Sequence, residues 1–199
     1  MSQNSNLGHC GHNEHVGAGS ESMNAVETYS LLKSEIGPWF KSQGFKRSKG
    51  LLGWYSPHGG IETVVWCQVS REGWDHHAGS KFTVELQRSA EPLVGASPAQ
   101  RERFVRLLTC DDLEEIRSIQ NAVIDGLCCP GLGHPTLQIS ASVAEWYLKK
   151  FEKIREPYSS GEDIWFRYAS PEHVTLWARF IARKLPKCVA LVEEWPRSW

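Results

Sequence analysis

Net charge is the first thing this sequence lacks. Lys and Arg number 22 against 23 Asp and Glu, for a formal charge of −1, so no overall field gathers nucleic acid or an anionic membrane. No apolar run approaches the ~20 residues a membrane-spanning helix requires, and a soluble chain is expected. The six cysteines, Cys10, Cys67, Cys110, Cys128, Cys129 and Cys188, contain no Cys-x-x-Cys pair, and no signal-like segment stands ahead of them. Free thiols in a reducing compartment follow, and with them a cytoplasmic location. Also missing are a Gly-x-Ser-x-Gly elbow, a phosphate loop, a His-Glu-x-x-His helix and a dinucleotide fingerprint. No cofactor is therefore expected. No internal repeat is visible.

What is present belongs to a globular protein. A chain of 199 residues can bury ~70% of the surface its unfolded form exposes, enough to fold without metal or disulfide. Nine tryptophans predict a thick core or a stacking surface. Residues 1–22 are rich in Ser, Asn, Gly and His, with Leu7 and Val16 the only large aliphatics. They cannot offset their ordering entropy by burial and are expected to form a disordered tail, leaving 23–199 as a single α+β domain.

Asn24 and Glu27 form a capping-box pattern ahead of Tyr29, Leu32, Ile36 and Phe40 at helical spacing. Gly37-Pro38 is expected to kink that helix or split off its last turn, and Gly44 to end it. A strand segment Leu51 to Ser56 is followed by period-two alternation in Ile61 to Ser70 and Lys81 to Gln87, predicting a three-stranded antiparallel meander with one packed face. Ser97-Pro98 predicts a helix through Phe104, Val105, Leu107 and Leu108, and Asp111 or Asp112 caps a second. Cys128 to Pro135 reads as loop, and Val143, Trp146, Tyr147, Phe151 and Ile154 as an amphipathic helix. Ile164 to Tyr168 predicts a fourth strand. Ser170-Pro171 then starts a helix with the stripe Val174, Trp177, Ala178, Ile181 and Leu185, broken at Pro186 before a short final helix. The expected fold is thus α+β, an antiparallel sheet of about four strands against several helices.

Residues 30–90 and 160–195 resemble the domain of unknown function 4304 family. The resemblance rests on the helix ending in Gly44-Phe45-Lys46, on Trp54-Tyr55, on Gln68-x-Ser70, on Phe82-Thr83-Val84 and on Ile164-Trp165-Phe166 before a helix. It implies an antiparallel sheet against helices and no particular activity. Residues 91–157 carry no matching pattern.

Candidate chemistry gathers in three places. His9, Cys10, His12 and His15 offer four soft ligands in seven residues, but a tail supplies no anchored turn to fix them. Adventitious chelation is expected there rather than a native metal site. Trp74, Asp75, His76 and His77 lie on the loop between two strands, where a His–Asp neighbour could move protons or the histidines could ligate a metal with Asp75. Adjacent side chains point apart, so His76 and His77 do not easily share one ion. The alternative is a solvated hairpin loop with Trp74 over the sheet edge. The outward hairpin face carries Trp66, Gln68, Ser70, Lys81, Thr83, Glu85 and Gln87, either a binding platform or a face that later elements cover. Cys128 and Cys129 have no nearby cation to activate them, and His173, in the first turn of its helix, reads as structural.

The leading reading is a non-enzymatic, regulatory or protein-binding module with a protein partner, one that could neutralise that partner. Its binding residues would be Trp66, Gln68, Ser70, Trp74, Asp75, His76, His77, Lys81 and Glu85. A small enzyme using Asp75, His76 and His77 is the first alternative. A nucleic-acid binder through Trp66 and the basic helix end Lys149, Lys150, Lys153 and Arg155 is the second, disfavoured by the charge of −1.

Overall fold

A computed structural model of the protein describes residues 23–48, 51–56, 60–75, 77–97, 99–127, 141–156 and 164–196. The 1–22 tail with its His and Cys residues, His76, and the loop holding Cys128, Cys129 and His134 lie outside the described residues.

The first helix, α1 (Ala25–Ser42), starts where its cap is complete. The Asn24 carboxamide accepts from the amides of Val26 and Glu27 at 2.9 and 3.0 Å, and Glu27 accepts from the Asn24 amide at 2.9 Å. Three otherwise orphaned amide donors are satisfied in that turn, two by Asn24 and one by Glu27. Thr28, Leu32, Ile36 and Phe40 recur every fourth residue and are all buried, so one face of α1 is committed to the core. The helix continues through Pro38 to Ser42 as one element.

Six antiparallel strands form the sheet: β1 (Lys46–Arg47), β2 (Leu52–Ser56), β3 (Glu62–Val69), β4 (Ser80–Ser89), β5 (Ala99–Arg103) and β6 (Phe166–Tyr168). Their order is β1-β2-β3-β4-β5, and β6 shares β4 with β5 by pairing at Ser80, Lys81 and Phe82 while β5 takes Glu85 to Ser89. The class is α+β as expected, with six strands rather than about four. Register places Trp54 opposite Val65, Val65 opposite Leu86, and Cys67 opposite Val84. These residues, with Val69, Phe82 and Phe166, form one buried face. Helix α1 and the last helix, α4 (Pro171–Glu193), pack together over that face.

Two expected helices are corrected. The helix predicted after Ser97-Pro98 is β5 followed by a short 3₁₀ turn, Phe104–Leu107. Gln100, Arg101, Glu102 and Arg103 pair along the free edge of β4, and that tertiary partner overrides a local helix-start signal. Nor does Pro186 end α4, which runs on to Glu193. Proline removes the bond to the Ala182 carbonyl, and in an isolated helix costs about 3 kcal/mol. Here Leu185, Cys188, Val189 and Val192 are all buried on either side of it, and their packing holds both halves in line.

Helices α2 (Cys110–Asp125) and α3 (Ala141–Arg155) complete the described fold. The α2 cap is Thr109 rather than Asp111 or Asp112; Asp112 is the reciprocal member of its capping box. Burial pushes the Asp112 carboxyl upward, but the Lys184 ammonium at 2.7 Å and the Thr109 donors outweigh it and hold the group at about 2. This pair pins α2 to α4. Phe151 and Ile154 of α3 join Ala78, Leu127 and Ala169 in a smaller core of their own. No helix among the described residues is long and apolar enough to cross a membrane.

Candidate functional site

Side chains alternate across a sheet, so the face away from α1 and α4 receives Val64, Trp66, Gln68, Lys81, Thr83, Glu85, Gln87, Arg101 and Arg103. It is not an open platform. Trp66 is only 4% exposed. Gln87, fully buried, straps the following loop back over the sheet by donating to the Leu93 carbonyl at 2.9 Å and accepting from the Gly95 amide at 3.0 Å. The charged groups answer one another: Lys81 meets Glu72 at 3.0 Å, and Arg103 meets Glu85 at 3.2 Å. Both cations also lie over the Trp165 ring, at 5.6 and 5.0 Å from its centroid. Ser70 accepts from the Glu72 amide and pairs its own amide with the Lys81 carbonyl. Of the predicted face residues, Gln68 alone is exposed.

The loop between β3 and β4 is a closed turn. One Asp75 oxygen accepts from the amides of His77 and Ala78 at 2.9 and 2.6 Å, and the other faces the Lys150 ammonium at 3.4 Å. His77 is buried with its ring edge-on to Tyr147, and the Trp74 indole donates to the Ala169 carbonyl at 3.2 Å. Gly79 has φ 59°, and a Cβ there would run into the Tyr168 carbonyl, so the turn admits no other residue. Asp75 therefore shapes backbone. No group of three or more His, Cys, Asp or Glu capable of holding a metal occurs among the described residues.

His173 tethers helices. Its Nδ1 accepts from the Ala169 amide at 3.2 Å, and the ring is hydrogen-bonded to the Ala122 backbone. Burial lowers its pKa, against the opposing pull of Glu172. Burial also raises the thiols of Cys67 and Cys188 to about 12, leaving them unreactive.

A different surface is left unneutralised. Along the outer side of α1, Val26, Ser30, Lys33, Ser34, Gly37 and Lys41 fall on one helical stripe roughly 22 Å long at 1.5 Å per residue. Between this stripe and the β1–β2 edge runs a groove. One part, about 680 Å³, is lined by Lys33, Lys41, Arg47, Phe45 and Trp54 together with Ser30, Ser34, Gly37 and Pro38. A second part, about 360 Å³, shares Ser30, Lys33 and Arg47 with it and ends on Val26, Tyr29, Leu51 and Leu52. Among the described residues, no acidic side chain lines either part. Lys33, Lys41 and Arg47 have no carboxylate partner among the described residues. Arg47 is held by donating to the Gly53 carbonyl at 2.8 Å and by lying 4.9 Å over the Trp54 ring. Its partial burial lowers the guanidinium below its usual value. Gly37 leaves room in the wall, since even a Cβ would stop about 4.0 Å from Trp54. At the apolar end Val26 is 77% and Leu51 46% exposed.

None of these groove residues was singled out by sequence as a binding or catalytic candidate. The available signal was Lys33 and Lys41, eight residues and thus about two turns apart, flanking Gly37 and sharing a face with Ser30 and Ser34.

No protein-family model matches the chain, and no curated protein or solved structure matches it.

Proposed function

We propose that this protein is a non-enzymatic protein-binding module whose α1 groove takes an acidic, partly apolar segment of a partner protein. The observation carrying this reading is three cations, Lys33, Lys41 and Arg47, lining one groove with no carboxylate in its walls among the described residues. Cations clustered without counter-charges favour an anionic partner, steering it and fixing its register. The exposed Val26 and Leu51 at one end ask for an apolar anchor beside the acidic part. Such a segment, once held, is withdrawn from its other contacts, which is how the module would regulate or neutralise its owner.

Nucleic acid fits less well. Single strands need open aromatic faces on which bases stack. Trp54, the groove's indole, is 3% exposed, stacked on Phe40 at 4.4 Å and covered by Arg47.

A labelled twelve-residue peptide of alternating Glu and Thr with a Leu at one end tests the reading by anisotropy, with oligothymidylate as competitor. Binding should weaken with salt and fall about tenfold in Lys33→Glu/Lys41→Glu, each exposed ion pair being worth up to about 1 kcal/mol. Unchanged binding by that variant, or tighter binding of oligothymidylate than of peptide, would remove the proposal.

A further inference from the structure

We infer that the acidic segment binds as an added β-strand along the outer edge of β1, with acidic side chains at every second position. This rests on the groove reading and adds to it a geometry.

The argument begins with backbone hydrogen bonds. Lys46 lies opposite Tyr55 and Arg47 opposite Trp54, and the Ser48 amide donates to the Gly53 carbonyl at 3.0 Å. In an antiparallel pair, residues alternate between those whose amide and carbonyl point at the neighbouring strand and those whose groups point away. Ser48 points toward β2, so Arg47 in the next position directs both its N–H and its C=O outward. Among the described residues no strand occupies that side: β1 is the end of the sheet order. Lys46 and Arg47 are both exposed. An open edge with an outward donor and acceptor is the template that strand addition uses.

The groove walls supply the rest. An occupant hydrogen-bonded to Arg47 runs between β1 and the α1 stripe. A strand alternates its side chains with a repeat of about 6.8 Å for every second residue, so one set faces Lys33, Lys41 and Arg47 while the other faces solvent. Acidic residues are therefore needed at alternate positions, and the segment's apolar end falls on Val26, Leu51 and Leu52. The same charges exclude the commonest unwanted partner of an open edge. A second copy pairing through β1 would set Lys46 and Arg47 against their own equivalents, and like charges directly opposite are destabilising. The edge is closed to itself and open to an acidic strand.

The probe is the same Glu/Thr/Leu peptide, used with full-length protein labelled with nitrogen-15. At saturation, hydrogen exchange at the Arg47 amide should slow at least tenfold. N-methylation of one alternate set of peptide amides should weaken binding at least tenfold, and methylation of the other set should be tolerated. If the peptide binds in a manner sensitive to Lys33→Glu/Lys41→Glu, yet Arg47 exchange is unchanged and both methylated peptides bind alike, strand addition is wrong while the groove stands. If the peptide does not bind at all, both fall together.

Discussion

Two basic, aromatic surfaces of this molecule use nearly the same residue types to opposite ends. On the far face of the sheet, Lys81 and Arg103 sit over Trp165, and each also meets a carboxylate, Glu72 or Glu85. In the α1 groove, Arg47 sits over Trp54, and neither it nor Lys33 nor Lys41 meets any carboxylate among the described residues. A cation over an indole is thus not diagnostic by itself. The presence or absence of the local counter-charge separates a surface whose interactions are completed within the fold from one still able to complete them with a partner.

Substitutions can break this contrast. The largest expected effect is Trp66→Ala on the far face. Removing an indole that is 4% exposed should destabilise the fold by about 3–5 kcal/mol in denaturant melts; a loss below about 1 kcal/mol would mean that the face is an open one. Next comes Glu85→Ala, which removes the carboxylate that meets the half-buried Arg103 at 3.2 Å. A loss of about 1–2 kcal/mol is expected, well under that of a fully buried pair because both groups keep some solvent. Stability unaffected by Glu85→Ala would erase the distinction between the surfaces.

Acid separates fold from groove in another way. Burial holds the His173 pKa below its ordinary value, so the unfolded chain takes up the proton first. The stabilisation is whole above about pH 6.5 and is lost as pH falls through the lowered folded value. Denaturation midpoints should drop between pH 7.5 and 5, and His173→Gln should flatten that slope; an unchanged slope would show that the ring is not held neutral. The Asp112–Lys184 pair behaves differently, since Asp112 stays ionised until pH approaches about 2. The groove cations Lys33, Lys41 and Arg47 have no carboxylate partner among the described residues. The smallest effects on stability belong to them: Lys33→Ala and Lys41→Ala should each change it by no more than about 0.5 kcal/mol.

Much of the architecture was legible because it depends on local period. The α1 cap, the three-strand meander and the α4 stripe around Trp177 all follow from spacing along the chain. The failures came where distant partners decide. Residues 99–103 became a strand because β4 had a free edge, and α4 passed Pro186 because buried neighbours on both sides hold it. The far face carried the expected polar and aromatic residues, but the sequence pattern could not show that Gln87 folds the next loop over them. The groove was missed for the converse reason. Lys33 and Lys41 look like ordinary solvated helix residues until Arg47, Phe45 and Trp54 arrive beside them from the sheet edge. A site defined by missing carboxylates has no motif.

The most direct test puts fold and binding in one variant. Lys33→Glu/Lys41→Glu should melt within about 2 °C of the unaltered protein, as expected for surface changes away from packing, while its affinity for the alternating Glu peptide falls about tenfold. A midpoint lowered by many degrees would mean that these lysines serve the fold, and an unchanged affinity would mean that the groove does not hold the acidic segment.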